Sequence, residues 1–118
     1  MARLILNTDQ PFLQIVYDLE VPRMAFGRVC IIGDAAFAVR PHAAGGKAKA
    51  TSDAWALAEA LSNNDDVLAA LAQWGPGQLD VGRQLPNRSR QIGRRSQVDG
   101  TWVAGVPAFI FGLHGPGV

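Results

Sequence analysis

Apolar and polar positions along the chain predict a mixture of strand and helix. A continuous apolar run, Val29 to Ile32, is short, rich in β-branched residues and ends at Gly33, as is typical of a strand buried on both faces. From Gly46 to about Leu61 the apolar residues recur at helical spacing. A second helix is predicted after the polar break that follows. The pattern indicates an α/β fold in which a buried strand precedes two helices.

Each predicted helix has one apolar stripe. In the first helix Asp53 and Glu59 lie off the stripe, which consists of Ala50, Ala54, Leu57, Ala58 and Leu61. Asn64 or Asp65 is placed to cap the second helix. The apolar residues of this second helix are Val67, Leu68, Leu71, Ala72 and Trp74.

The segments outside these helices have weaker patterns. The first residues, 3–8, predict a short strand, and Asp9 is placed to cap a helix with apolar residues as far as Leu19. Gly75-Pro76-Gly77 is expected to interrupt the second helix, and Pro86 to kink or break any helix beyond it. From Gly100 onward the aromatic and glycine content predicts mostly irregular structure.

Composition adds few constraints on function. The chain has 118 residues, of which 48% are hydrophobic, so there is enough apolar material for one core. The net charge of +1 gives no strong attraction to nucleic acid or to a membrane surface. A single cysteine, Cys30, excludes an intrachain disulfide. The apolar run at the N-terminus stops at Asn7, too early for a secretory signal. We therefore expect a cytoplasmic protein.

Arginines are frequent between residues 78 and 97, where five occur. They would suit nucleic-acid or phosphate binding, but no aromatic residue interleaves with them, and Asp80 and Asp99 dilute their charge. A solvated helix face is the preferred interpretation. No pair of histidines or cysteines has metal-ligand spacing, so no metal site is predicted. Neither Ser52 nor Ser62 has a plausible partner base for a hydrolase.

The chemistry that the sequence suggests is concentrated around Gly33-Asp34. In open α/β sheets ligands bind beyond the carboxyl ends of strands, where this carboxylate lies. The following loop passes through Pro41 and reaches Gly45-Gly46, where a helix begins. A helix N-terminus offers free amide donors and the positive end of its dipole. This segment therefore supplies both an acceptor for hydroxyls and a cradle for a partly negative group.

These residues resemble the second flavin-contacting motif of the FAD-dependent aromatic-ring monooxygenases. The likeness is carried by Gly27-Arg28-Val29, Gly33-Asp34-Ala35-Ala36, Pro41-His42, Gly46, Lys49-Ala50, Asp53-Ala54 and 57–61. It is strongest to the 2,6-dihydroxypyridine monooxygenase branch, and it extends over 11–23 and 111–117. The resemblance implies the C-terminal part of such an enzyme, with a partial FAD-binding, Rossmann-like α/β fold. The last buried strand would be followed by C-terminal helices.

The resemblance also implies six cofactor-binding residues: Gly33, Asp34, Pro41, Gly45, Gly46 and Lys47. Asp34, next to Gly33, would bind the ribityl chain of FAD. Pro41 would lie near the isoalloxazine ring, and the amides of Gly45, Gly46 and Lys47 would face the pyrimidine edge of the flavin. Enzymes of this family reduce FAD with NADH or NADPH and use O2 to hydroxylate an aromatic or N-heteroaromatic ring. No catalytic residue is assigned, and an aromatic substrate is expected only for the full-length parent.

Several residues depart from the family pattern. Phe37 stands where many relatives have histidine, and Lys47 replaces a smaller residue, so that it either adds positive charge beside the flavin or crowds it. His114 replaces an aromatic residue. His42 is open to two interpretations: a contact to substrate or flavin, or a loop histidine with a local hydrogen bond.

The largest departure is that no Gly-x-Gly-x-x-Gly follows a strand, which leaves the ADP half of FAD without its usual site. Residues 1–26 are interpreted as a remnant of the substrate domain and 27–118 as the C-terminal portion of the FAD-binding domain, without its N-terminal βαβ half. We expect the chain alone to be inactive. Three alternatives stay open: a truncated monooxygenase, a piece completed by a separately encoded N-terminal half, or a non-enzymatic interaction protein. A homodimer is a further possibility.

Overall fold

The structure is a computed structural model that describes residues 2–109 and 112. Its regular elements are α1 (Ala2–Leu6), β1 (Ala25–Phe26), β2 (Val29–Cys30), α2 (Gly46–Ser62) and α3 (Val67–Gly93). Short 3-10 turns occur at Gly33–Ala35, Pro41–Ala43 and Pro107–Phe109, and a π-helical turn covers Arg94–Val98. The described chain is thus mainly helical and contains little sheet.

The predicted buried strand is present only as the second half of a small hairpin. Strands β1 and β2 pair antiparallel, with Ala25 opposite Cys30, and Gly27 adopts the positive φ of +65° that such a tight turn requires. Val29 is 62% exposed, so the prediction of a strand buried on both faces is wrong for this structure. Among the described residues no third strand pairs with either outer edge of this hairpin.

The N-terminal segment also differs from its prediction. Residues 2–6 form helix α1 instead of a strand, and no helix follows Asp9, because residues 11–21 contain neither helix nor strand. Part of this segment lies alongside residues 36–38. The Leu19 amide donates to the Ala38 carbonyl at 2.7 Å, and the Val21 amide to the Ala36 carbonyl at 3.2 Å. These backbone bonds satisfy the chain in an extended form, which competes with the predicted helix.

Helix α2 spans the predicted residues, but its buried face was predicted wrongly. Ala54 and Leu61 of the predicted stripe are exposed, whereas Asp53 is completely buried. The helix turns its Asp53 side toward α3 and the 3-10 turn at Gly33–Ala35, and Leu57, with Ala56 and Ala60, packs on the core. Spacing alone favoured the wrong face because alanines lie on both sides of this helix.

Helix α3 runs without a break through Pro76 and Pro86, contrary to the predicted interruptions. Its cap is Asp66, whose Oδ1 accepts the Leu68 amide at 3.1 Å, and not Asn64 or Asp65. A proline inside a helix costs about 3 kcal/mol or more. Burial of each large apolar side chain returns about 1.5–3 kcal/mol, and α3 buries four of them: Leu71, Trp74, Leu85 and Ile92.

Two small cores hold the molecule together. The first contains Met24, Ala36, Phe37, Leu71 and Trp74, and the second contains Ala43, Leu85, Ile92 and Phe109. Helix α3 contributes to both. The loop between the hairpin and α2 contributes Phe37 to the first core and Ala43 to the second, so that α3 supports this loop along its length.

The arginines between residues 78 and 97 only partly form a solvated face. Arg83 and Arg94 are exposed, but Arg88 is buried and Arg90 bridges to Asp18 and Glu20. The sequence could not indicate this because the acidic partners of Arg90 lie about 70 residues earlier in the chain.

The chain is more extended than a compact domain of its length. Its radius of gyration is 17.8 Å, against roughly 13–14 Å expected for this size. Apolar residues of the N-terminal segment, such as Phe12 and Leu13, are 86% and 91% exposed. None of the helices that the structure describes has the length and apolar character needed to cross a bilayer. The irregular tail is confirmed for 101–106. His114 and the resemblance over 111–117, apart from Gly112, lie outside the described residues.

Candidate functional site

A cavity of about 460 Å³ opens at the start of α2. Five of the six residues singled out in the sequence line it: Asp34, Pro41, Gly45, Gly46 and Lys47. Val39 and Ala44 complete the lining. The sixth residue, Gly33, is buried directly before Asp34 and not among the lining residues. The fold therefore brings Asp34, in the 3-10 turn that follows β2, and the start of α2 to one cavity.

The N-terminus of α2 faces this cavity without a cap. Its N-cap is Gly45, and no side-chain hydrogen bond caps the helix. The Lys49 amide already bonds the Gly45 carbonyl at 2.9 Å, which leaves the amides of the first turn as unpaired donors. Asp34 is exposed and lies close by, since a Cβ added to Gly46 would be 3.9 Å from its Oδ1. Donors and an acceptor thus share the cavity.

The loop that precedes α2 is shaped by a tight turn and by contact with α3. After the 3-10 turn at Pro41–Ala43, Ala44 adopts a left-handed φ of 52°, and its amide donates to the Pro41 carbonyl at 2.9 Å. A Cβ at Gly45 would lie 2.5 Å from Leu85 Cδ1 and 2.8 Å from the Gly112 carbonyl oxygen. Glycine is therefore required where the backbone passes between α3 and the cavity.

The backbone of Gly33 is hydrogen-bonded to a buried ion pair of α2. Lys49 and Asp53 form this pair and are 1% and 0% exposed. Asp53 Oδ2 accepts the Gly33 amide at 3.0 Å. Gly33 has a φ of +57°, and a Cβ there would lie 3.1 Å from Ala50 Cβ. The pair therefore fixes the backbone from which Asp34 projects.

Sequence reasoning missed the role of Asp53, which it placed off the buried stripe. A signal was available, because Lys49 and Asp53 are four residues apart on a helix and both belong to the motif that carries the family resemblance. The structure adds two contacts that explain the burial. The Trp74 indole donates to the Asp53 carbonyl at 3.2 Å, and the Lys49 ammonium lies 5.3 Å from the centre of the Phe37 ring. Phe37 thus has a packing role.

His42 is not among the residues that line the cavity. Its ring packs on α3, where a Cβ at Gly93 would come within 2.8 Å of Cε1. Its Nδ1 is buried, and no described residue hydrogen-bonds to it. Among residues 2–109 and 112, no group of three or more His, Cys, Asp and Glu side chains is arranged to hold a metal ion.

Comparison with known proteins identifies the type of segment. A family model described as an FAD binding domain matches residues 17–68. The chain is 46% identical to 2,6-dihydroxypyridine 3-monooxygenase of Paenarthrobacter nicotinovorans over 110 residues, which are 93% of this chain and 28% of that protein. Over 52 residues, 44% of this chain and 7% of the other, it is 48% identical to a dual trans-enoyl reductase/FAD-dependent monooxygenase of Aspergillus terreus.

A solved structure agrees. The 2,6-dihydroxypyridine-3-hydroxylase of Arthrobacter nicotinovorans superposes with a TM-score of 0.77 at 43% identity, and the match covers 87% of this chain and 27% of that one. The chain thus spans about a quarter of the length of these hydroxylases. The resemblance predicted from the sequence is confirmed: over nearly its whole length the chain is similar to part of an aromatic-ring monooxygenase, and residues 17–68 match an FAD binding domain, which supports FAD as the cofactor.

Proposed function

We propose that the cavity at the start of α2 holds the flavin and ribityl part of FAD, in a monooxygenase that hydroxylates an aromatic or N-heteroaromatic ring with NAD(P)H and O2. The observation that carries this proposal is that Asp34 and the uncapped start of α2 line one cavity. The ring class follows from the relative named for 2,6-dihydroxypyridine. Bound FAD supplies the redox and oxygen chemistry, and the residues of this chain bind and orient it.

Each lining residue has a role that its chemistry supports. The Asp34 carboxylate is exposed and would accept hydrogen bonds from the ribityl hydroxyls. The amides of Gly46 and Lys47 would hold the pyrimidine edge of the flavin, because the positive end of the helix dipole favours a partly negative group by about 0.3–1 kcal/mol. Pro41 presents a rigid apolar surface beside the ring. Lys47 is exposed at the rim and adds a positive charge there.

The finer fold assignment belongs to the same proposal. Residues 27–118 would be the C-terminal portion of a Rossmann-like FAD-binding domain, and 1–26 a remnant of the substrate domain. The exposed hairpin edge supports this, because a larger sheet would continue from it. The ADP half of FAD would then bind to a βαβ unit that contributes a Gly-x-Gly-x-x-Gly.

We further propose that the chain works together with such an N-terminal half. Trp55 on the outer face of α2 is 69% exposed, and Phe12, Leu13 and Ile15 are 75% exposed or more. Several exposed apolar side chains close together, as at Phe12, Leu13 and Ile15 along the N-terminal segment, commonly mark an interface. In the two alternatives, a second copy of this chain or the partner of a non-enzymatic interaction protein would cover the same residues. Sedimentation of the purified chain distinguishes a homodimer from a monomer.

Asp34 offers the most direct test of the flavin site. Riboflavin and lumichrome, which is the ring system without the ribityl chain, are titrated into the ¹⁵N-labelled chain. Both are expected to shift the amides of 44–47. Asp34→Ala is expected to weaken riboflavin binding about tenfold, the equivalent of one charge-assisted hydrogen bond, and to leave lumichrome binding unchanged.

Asp65→Ala is the matched control, because Asp65 is an exposed carboxylate beyond the other end of α2. It should leave the affinity for both flavins unchanged. The proposal is contradicted if riboflavin shifts no amide in 33–47, or if Asp34→Ala binds riboflavin as tightly as the unaltered chain.

Complementation tests the need for a second half. We expect no NAD(P)H-dependent oxygen consumption from the chain alone, and activity on an electron-rich ring once the N-terminal remainder of a related monooxygenase is supplied with FAD. Flavin absorbance and an oxygen electrode measure both. Tight, stoichiometric FAD on the isolated chain would show that no second half is needed.

A further inference from the structure

We propose that Asp18 is a positioning residue for the loop that carries Pro41. Asp18 lies outside the cavity and sets the shape of the cavity wall to which Pro41 belongs. The inference rests on the proposed function of the cavity. Asp18 does not line the cavity and acts through Arg40, the residue immediately before Pro41.

The Asp18 carboxylate is only 8% exposed, although most of the chain before it is exposed. Its Oδ1 accepts the Arg40 backbone amide at 3.0 Å. Its Oδ2 accepts Nε of Arg40 at 3.2 Å and Nε of Arg90 at 2.8 Å. One carboxylate therefore connects three separate parts of the chain: the N-terminal segment, the loop and α3.

The backbone carbonyl of Arg40 is hydrogen-bonded as well. The Ser89 hydroxyl on α3, which is completely buried, donates to the Arg40 carbonyl. Both the N–H and the C=O of Arg40 are thus bonded to side chains from different elements. Pro41 has no amide of its own to anchor it. Its placement against the cavity therefore depends on the two anchors at Arg40.

The charges around Asp18 explain why it stays ionised. Burial by itself would raise the pKa of Asp18, but hydrogen bonds from the Arg40 amide and from the Arg90 and Arg40 side chains outweigh it and lower that pKa. Glu20 is the other acidic group in the cluster and bonds Arg90 at 2.9 Å. Because the folded-state pKa is lowered, the contribution of Asp18 is present above its unfolded pKa of about 3.9 and is lost as pH falls below it.

Glu20 supplies a matched control. It shares Arg90 with Asp18, and its hydrogen bond is to Arg90 and not to Arg40. Glu20→Gln therefore removes a charge from the same cluster and leaves the anchor on the Arg40 amide. Asp18→Asn is the conservative variant, since its amide oxygen still accepts from that N–H, whereas Asp18→Ala removes the acceptor.

The test compares these variants by amide shifts without ligand and by flavin titration. Asp18→Ala is expected to move the amides of 40–47 and to weaken both riboflavin and lumichrome about tenfold, because the loop beside the ring is displaced. Asp18→Asn should have an intermediate effect, and Glu20→Gln should stay within twofold. The stability difference between the unaltered chain and Asp18→Asn should disappear as pH falls below about 4.

The outcomes separate this inference from the flavin assignment. If the unaltered chain binds riboflavin and Asp18→Asn and Asp18→Ala bind it equally well, the positioning role is wrong and the flavin site stands. If no flavin binds but the amides of 40–47 move in the Asp18 variants and not in Glu20→Gln, the loop anchor stands and the flavin assignment fails. Equal effects of Glu20→Gln and Asp18→Asn overturn the role of Asp18. If Asp18→Ala does not fold, the role of Asp18 is tested by comparing the amide shifts and flavin affinities of Asp18→Asn and Glu20→Gln.

Discussion

Asp53→Ala is expected to lower the free energy of unfolding by about 3–5 kcal/mol, because it leaves the Lys49 ammonium buried without a counter-charge. Lys49 is 1% exposed, so it cannot recover its hydration without opening the core. The same substitution removes the acceptor of the Gly33 amide. A loss of this size approaches the whole stability of many small domains. Urea denaturation followed by circular dichroism measures it.

The double variant Lys49→Met, Asp53→Asn separates charge from packing. Methionine fills the space of the lysine stem, and the asparagine oxygen can still accept the Gly33 amide. Replacement of a buried ion pair by neutral groups of similar volume is often close to neutral. We expect the double variant to lie within about 1 kcal/mol of the unaltered chain. A loss below 1 kcal/mol for Asp53→Ala alone would show that the pair does not hold the start of the flavin motif.

Gly82→Ala is expected to destabilise the chain by about 1–2 kcal/mol, although alanine is the better helix former. A Cβ at Gly82 would lie 2.5 Å from Cδ2 and Cζ of Phe37, whose ring is 1% exposed and has no free space to move into. Overpacking of this kind costs about 1–3 kcal/mol or more. The gain of about 1 kcal/mol in helix propensity offsets only part of it.

Gly77→Ala is the control for this prediction, since it lies in the same helix with nothing within 4 Å of an added Cβ. It should stabilise the chain by about 0.5–1 kcal/mol. The two alanine variants should therefore shift the thermal midpoint in opposite directions. Equal shifts would contradict the contact between Phe37 and α3.

Asp53 and Gly82 both support the loop between the hairpin and α2, which lines the cavity that we propose as the flavin site. Asp53 holds the backbone at Gly33, just before Asp34, and Gly82 accommodates the ring of Phe37, three residues after it. Asp18 and Ser89 hold the same loop farther along, at Arg40. The loop is thus fixed at successive points by side chains from outside the cavity, which leaves Asp34 and the start of α2 free to meet a ligand.

The sequence by itself determined the local parts of this protein. The resemblance of residues 27–61 to a flavin-contacting motif, the bounds of α2 and five of the seven residues that line the cavity could be predicted, because each depends mainly on residues nearby in the chain. Gly33-Asp34 and Gly45-Gly46 are separated by only ten residues, which limits how far apart the turn after β2 and the start of α2 can lie.

Only the tertiary structure decided which faces are buried and which long-range partners meet. Asp53 is buried because Gly33 and Trp74, about 20 residues away on either side, both bond to it. Helix α3 continues through Pro86 because its contacts with both cores outweigh a local cost. Asp18 meets Arg90 across 72 positions of the chain. Such pairings depend on how elements pack, and local spacing contains no information about them.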